Sequence, residues 1–326
     1  MKKIIITGVL NQPFGSFPVA TQSDDGVSWD ALSSPFGVNT APTAIANDSS
    51  NIAISNGNGY LAVSNDDLQT FSNITVSDGF SINSMAYADG DWIAVGEAYY
   101  KNAYGPYDPR SDIAQIHKAS SAYGPWSMIW IHPNTDSFFY QIRKFVNAQV
   151  TDILAINVWV VVGSVGENGD AWYSIDDGAT WTQIPVPQGV GRIYSVDFAS
   201  IGAENFWYWG SRNNLYKSST LDTSDWSEVS VPTDTVIKDI VSNDENIVAA
   251  GTRWLNSSQD GNYFNSQFLT GYVFDRTALY QNDQTTVYLA FMRSSLTQYT
   301  YLRSTNGLNW DFHNNNVCVS GYTVKL

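Results

Sequence analysis

Short apolar runs, each closed by a glycine, recur along the chain: WIAVG at 92–96, VWVVVG at 158–163 and NIVAAG at 246–251. Each follows a segment of alternating apolar and polar residues, with a polar turn between the two, as in INSMAYADGD, TDILAIN and VIKDIVSNDE. Alternation with period two marks a strand with one buried face. A short continuous apolar run marks a strand buried on both faces. No segment shows the 3.6-residue apolar period or the capping residues of a helix. The pattern predicts an all-β chain in which each pair supplies strands a and b of a four-stranded meander. WYWG at 207–210 fits strand b, which makes Trp207 and Trp209 core residues.

Strands c and d flank a second repeat. Its fullest copy is Ser174-x-Asp176-x-Gly178-x-Thr180-Trp181. QSDDGVSW places Asp24, Gly26, Ser28 and Trp29 in the same frame, and SNDDLQTF places Ser64, Asp66, Thr70 and Phe71 there. RSTNGLNW supplies Gly307 and Trp310, SSTLDTSDW keeps Ser219 and Trp226, and ASSAYGPW keeps Trp126. The aspartate accepts backbone N–H bonds inside a tight turn, and the glycine takes positive φ. The ring opens the returning strand and packs between neighbouring sheets, where full burial contributes about 2–3 kcal/mol. The rings fall at 29, 71, 126, 181, 226 and 310. Their spacing is roughly that of a four-stranded blade, and the last gap is about double.

The frame S-x-D-x-G-x-T-W resembles the Asp-box, or BNR, repeat of sialidases and related propellers. The resemblance implies a single β-propeller domain over residues 1–326, with six or seven four-stranded blades. The first unit begins at strand b, IIITGV, and lacks a strand a; VCVSGYTVKL (317–326) would supply it and close the ring. Spacing favours seven blades, with a degenerate unit near NYFNSQFLTGYVFD, whereas strand accounting favours six.

In such a meander the b–c and d–a connections share one end of the sheets, and the boxed c–d turns lie at the other. Four segments are expected as insertions at the first end: 97–113, 132–142, 164–170 and 252–265. Loops carry function more often than the scaffold beneath them. Tyr99, Tyr100, Tyr104, Tyr107, Arg110, Trp254 and Tyr263 in these segments are the candidate interaction residues, because rings set among amides suit a sugar or a protein surface.

Composition narrows the partners. The chain has 326 residues, 43% hydrophobic but only 14% charged, with a net charge of −15. That field repels polyanions, and no clustered lysines or arginines offer counterion release, so nucleic acid is excluded as a partner. No apolar run is long enough for a membrane helix, so membrane insertion is not expected. MKKIIITGVLNQPFG has two lysines before an apolar run, but Ile4-Ile5-Ile6 suits a strand better than a leader. The lone Cys318 permits no internal disulfide. His117, His132 and His313 are scattered, and the paired aspartates lie in the boxes, so neither a metal nor a cofactor is expected.

The sialidase resemblance raises glycoside hydrolysis, which needs arginines converging on a carboxylate, a tyrosine nucleophile and an acid. Arg110, Arg143 and Arg253, with Glu97 or Glu167, are the candidates. The family's early F/Y-R-I-P segment is missing, and VGRIYS at 190–195 does not replace it. The expectation is therefore a non-catalytic structural or recognition propeller. An acidic, lysine-poor composition without a clear export signal matches a phage tail or virion-surface component, and Asp-box propellers resemble modules of phage tail proteins. Expected partners are other virion proteins, further copies of the chain within a particle, or a host surface glycan. A free-standing extracellular lectin is the alternative and a glycosidase the second alternative.

Overall fold

The computed structural model describes residues 4–12, 15–32, 35–36, 42–99, 112–151, 154–201, 204–212, 214–222, 226–232, 236–270, 272–281, 286–294, 299–314 and 322–325. Among them every regular element is a strand, and the strands form seven four-stranded antiparallel sheets. In the order a to d, sheet 1 is Tyr322–Lys325, Ile4–Gln12, Gly15–Ser23 and Asp30–Ala31. Sheet 2 is Ala44–Asn47, Ile52–Ser55, Tyr60–Ser64 and Ser72–Thr75. Sheet 3 is Phe80–Ala88, Asp91–Tyr99, Asp112–Ala119 and Ser127–Ile131. Sheet 4 is Ser137–Thr151, Leu154–Val165, Asn168–Ser174 and Thr182–Gln183. Sheet 5 is Ile193–Ile201, Glu204–Ser211, Leu215–Ser218 and Ser227–Val229. Sheet 6 is Ile237–Ser242, Ile247–Gly251, Trp254–Ser258 and Asn265–Phe268. Sheet 7 is Tyr272–Gln281, Thr286–Ser294, Tyr299–Ser304 and Asp311–Asn314. As expected, the last strand of the chain completes sheet 1, pairing Ile4–Thr7 with Tyr322–Lys325. Among the described residues the sheet number is seven.

The chain divides into two compact units. Met1–Pro42, Ser195–Thr220 and Asp225–Leu326 make one; Thr43–Tyr194 and Leu221–Ser224 make the other. In the second unit, Phe80, Trp92 and Val63 pack sheets 2 and 3 together, and Val95, Phe139 and Trp159 pack sheets 3 and 4. In the first unit, Tyr208, Ile240 and Ala249 pack sheets 5 and 6, and Leu255, Phe274 and Tyr288 pack sheets 6 and 7. The glycines that close strand b have a steric cause. Strand a bulges directly opposite them, at Ile82/Ser84, Phe139/Gln141 and Ile237/Asp239, where Gly96, Gly163 and Gly251 are the partners. A Cβ on Gly96 would lie 1.7 Å from the Ser81 carbonyl oxygen, and one on Gly163 would lie 1.8 Å from that of Phe138. Only glycine lets the bulged strand approach so closely.

Strand c ends on serine in six of the seven sheets, at Ser23, Ser64, Ser174, Ser218, Ser258 and Ser304. Ser174 Oγ accepts the Gly178 amide at 2.8 Å and donates to Asp176 at 2.8 Å. Asp176 then accepts the Thr180 amide and hydroxyl at 2.9 and 2.6 Å. Ser64, Asp66 and Thr70 repeat this network. The threonine hydroxyl and amide hold Asp66 and Asp176 down at about 2.

A shorter form occurs in three sheets. Ser23 donates to Asp25, Ser258 to Asp260 and Ser304 to Asn306, and each acid or amide accepts two following amides. The long form needs two successive left-handed residues, Asp177 and Gly178 at φ 56° and 85°; the short form needs one glycine, as at Gly26, Gly261 and Gly307. Three sequence expectations change accordingly. The turn acid of sheet 1 is Asp25 and not Asp24, because glycine follows directly. The strand-end serine of sheet 5 is Ser218 and not Ser219. The turn of the sheet that the sequence hides is Ser258-x-Asp260-Gly261, followed by Phe264.

A basic side chain just before the end of strand c reaches across to the next sheet's turn. Lys118 Nζ donates to the Asp177 carbonyl at 2.7 Å. Lys217 Nζ contacts the Gly261 carbonyl at 3.4 Å and also bonds Asn262 Oδ1. Arg303 Nε donates to the Asp25 carbonyl at 3.0 Å. Each such cation clasps a turn onto the sheet before it.

Candidate recognition surface

In the second unit, the b–c and d–a connections of sheets 3 and 4 bring rings and carboxyl groups together. The connection from strand 3d to strand 4a is short, residues 132–136. The remainder of the expected 132–142 insertion is strand a, because the register begins at Ser137↔Val165. His132 fixes this corner: its Nε2 lies 3.0 Å from Asp170 Oδ2, which also accepts the Trp172 indole N–H at 2.7 Å. The Gln183 amide donates to Asp170 Oδ1 at 2.9 Å, and the Asn134 amide donates to His132 Nδ1 at 2.9 Å. Ser137 Oγ donates to the Asn134 carbonyl and accepts the Ala114 amide, joining sheet 4 to sheet 3.

Strand 4a then presents two rings on one side. Phe138 and Tyr140 are parallel with centroids 6.4 Å apart, and Tyr140 lies 5.2 Å from Tyr194. All three are half-buried. Tyr140 Oη shares a hydrogen bond with Ser164, and burial with the neighbouring Tyr140 raises the Tyr194 phenol. Beside them Arg192 pairs with Glu167 at 2.8 Å, across the two-residue turn Gly166-Glu167.

Glu97 lies on strand 3b, on the sheet 3 side of strand 4a. Burial pushes its carboxyl up to about 7, and Asp112 adds to the rise; Asn83 and Ser81 oppose it. Asn83 Nδ2 donates to Glu97 Oε2 at 2.5 Å and to the Phe139 carbonyl at 2.9 Å. Asp112 is itself raised by burial and by Asp136. This end of sheets 3 and 4 therefore offers stacked rings on a chain of net charge −15. It suits a basic or hydrogen-bonding partner better than an anion.

Glu97 carries a pH prediction. Its folded pKa lies above the unfolded value of 4.5, so the folded state keeps a proton that the unfolded chain loses between pH 4.5 and about 7. Stability falls as pH rises through that window and is flat above it. Glu97→Gln removes the decline and is expected to match the parent near pH 4.5. By pH 8 it should exceed the parent by up to about 3 kcal/mol in denaturant unfolding.

The structure distributes the sequence-derived candidates unevenly. Tyr100, Tyr104, Tyr107 and Arg110 lie outside the described residues. Tyr99 ends strand 3b and pairs with Asp112, so 97–113 issues from the b–c hairpin of sheet 3. The 164–170 segment is a tight hairpin and not an insertion: strand b runs to Val165 and strand c begins at Asn168. The 252–265 segment is likewise no b–c loop. It holds the b–c turn, strand c and the c–d turn of sheet 6. Trp254 therefore starts strand c at the b–c end, 4.9 Å from Phe268, while Tyr263, 82% exposed, lies in the Ser258–Asp260 turn at the opposite end.

Among the turn rings, Trp29, Phe71, Trp181 and Trp310 are all half-buried. Trp29 donates its indole N–H to Tyr301 at 3.0 Å. For the glycosidase candidates, Arg143 lies within strand 4a and Arg253 holds a left-handed b–c turn in sheet 6. Among the described residues no three His, Cys, Asp or Glu side chains group as a metal site. His117 is buried against Phe80 at 4.2 Å, which lowers it to about 4, and His313 stacks on Tyr301. Phe138, Tyr140 and Tyr194 escaped notice because their alternation reads as ordinary strand, although FFYQI at the start of strand 4a was the available signal.

No protein-family model and no curated protein matches the chain. Solved structures do. YCF48 from Cyanidioschyzon merolae aligns over 88% of this chain and 92% of its own at 11% identity, with a TM-score of 0.57. YCF48 bound to D1 peptide aligns over 84% and 82% at 12% identity, with a TM-score of 0.56. The WD40 β-propeller domain of Doa1 aligns over 87% and 85% at 11% identity, with a TM-score of 0.55. The fold is a β-propeller. The propeller's seven sheets each keep the meander order a to d. At such identities the likeness concerns the scaffold alone, and a propeller scaffold serves many unrelated functions.

Proposed function

We propose that this propeller is a non-catalytic recognition module that docks a partner protein through the b–c and d–a end of sheets 3 and 4. The observation that carries the reading is the ladder Phe138–Tyr140–Tyr194, three half-buried rings in contact along one face. Rings that are half-buried and rigid supply contact area at low entropic cost, and interfaces concentrate such anchors. A solved propeller of this fold, YCF48, is bound to a peptide. The serine–aspartate turns resemble Asp-box repeats, including those of phage tail proteins. The acidic, lysine-poor composition fits a protein that assembles inside a host cell and leaves with a particle. The partner in this reading is another protein of a virus particle, and the chain is a virion-surface or tail component.

Gradient-purified particles from the source culture are expected to contain the chain in fixed proportion. A Tyr140→Ala/Tyr194→Ala variant with unchanged circular dichroism should be lost from them. A chain that stays monomeric and binds neither particles nor a glycan array would overturn the reading. Binding at several sites on a glycan array would replace it with a lectin.

A further inference from the structure

We propose that a cleft between sheets 6 and 7 receives a lysine or arginine side chain from a partner protein. It is distinct from the ring ladder and does not depend on it. Three clasps set the pattern. Lys118, Lys217 and Arg303 each stand one residue before the end of strand c. Their strand-b partners are Ile93, Tyr208 and Leu289. In sheet 6 the residue at that register is Ser257, paired with Val248, and Val248 packs toward sheet 7. Ser257 thus points where the clasping cations point, but its side chain ends at Oγ and is too short to cross.

A cleft of about 440 Å3 opens at this junction, a size within the range of small-ligand sites. Leu255 and Ser257 form its floor. Asn265 and Gln267 line one wall, since their register with Ser257 and Leu255 puts all four on one face of sheet 6. Trp310 lines the other, whereas Asp311 pairs with Arg303 and shares the face that Arg303 turns toward sheet 1. The turn above is Ser304-x-Asn306-Gly307, whose carbonyls correspond to those that accept cations at Asp25 and Gly261.

The lining favours a cation. Two amide oxygens and an indole face attract an ammonium or guanidinium group. The chain already uses the same pairing: Lys217 lies 4.5 Å over Phe206 and Lys144 lies 5.0 Å over Trp159. The net charge of −15 opposes an anion. The cleft reproduces, between sheets 6 and 7, the seat of an internal clasp, and leaves it to be filled from another chain.

The test titrates N-acetyl-arginine amide and N-acetyl-lysine amide into protein labelled with 15N-tryptophan, with the indole signal assigned by Trp310→Phe. The Trp310 indole resonance is expected to shift saturably with either cation and to stay still with N-acetyl-norleucine amide or glucose. Ser257→Lys should supply the missing clasp, raise the thermal midpoint and weaken the cation response by about tenfold or more. Gln267→Leu, at an exposed position of strand d, should weaken it while leaving the midpoint nearly unchanged. An equal shift with norleucine amide or glucose, no shift with either cation, or an undiminished response in both variants would each overturn the proposal.

Discussion

Gly163→Ala is expected to leave the protein largely unfolded, although the change adds one methyl group. The added Cβ would stand 1.8 Å from the Phe138 carbonyl oxygen and 3.0 Å from the Phe139 Cα. Both are backbone atoms of the bulged strand and cannot rotate away. Relief requires strand 4a to move, which separates the seam of Phe139, Ile142, Trp159 and Val161. Overpacking with a flexible neighbour costs about 1–3 kcal/mol, and a rigid backbone neighbour places this case above that range. Gly79→Ala is the control. It has φ 75° but nothing within 4 Å of the added atom. Only the left-handed conformation is penalised there, by about 1–2 kcal/mol. Urea unfolding of the two variants should separate them clearly. Equal losses would show that the bulge does not press on the glycine.

Trp159→Ala should cost about 3–5 kcal/mol, the usual range for emptying a buried tryptophan site. Trp159 is fully buried between sheets 3 and 4, and Lys144 lies over its ring. The same cation bonds Asp89 at 2.9 Å and Asp177 at 2.5 Å, so the site ties the a–b turn of sheet 3 to the turn of sheet 4. Trp181→Ala should cost less, about 1–2 kcal/mol, because its ring is half-exposed and only part of its area leaves water on folding. Its indole bonds the Gly178 carbonyl of its own turn at 3.2 Å, a local contact. This ordering reverses the expectation that the turn rings are the chief locks between sheets. The fully buried rings Trp92, Trp159, Trp207 and Trp209 stand on strand b instead. Thermal unfolding of both variants decides between the two orderings.

Much of the fold was legible because its causes are local. Period-two alternation, glycine-closed strands and Ser-x-Asp turns each follow from a single strand or turn, and they place Gly96, Gly163, Ser174 and Trp181 correctly. Turn length was not legible. QSDDGVSW fits the long frame by letter, yet glycine directly after Asp25 makes the short form, and the acid shifts by one position. The same short form concealed the sixth sheet, since SSQDGNYF lacks the tryptophan and the spacer residue of the long frame. Tyr263 was consequently assigned to the wrong end. The recognition surface was partly hidden for a different reason. Glu97, Asn83 and Phe139 lie far apart in sequence, and their meeting depends on how sheets 3 and 4 pack. The cation clasps were invisible too, because each joins residues of different sheets, as in Arg303 and Asp25.

Amide hydrogen exchange at the c–d turns tests the central claim, that a buried serine at the end of strand c organises the turn that follows it. Turn amides normally exchange fast. Those of Gly26, Leu68, Gly178 and Gly261 are held by Ser23, Ser64, Ser174 and Ser258 at 2.8–3.0 Å and should exchange slowly. Ser174→Ala should cost about 1–3 kcal/mol and release Gly178 selectively, with the other three still protected. Exchange at free-peptide rates for all four amides in the parent protein would contradict the account.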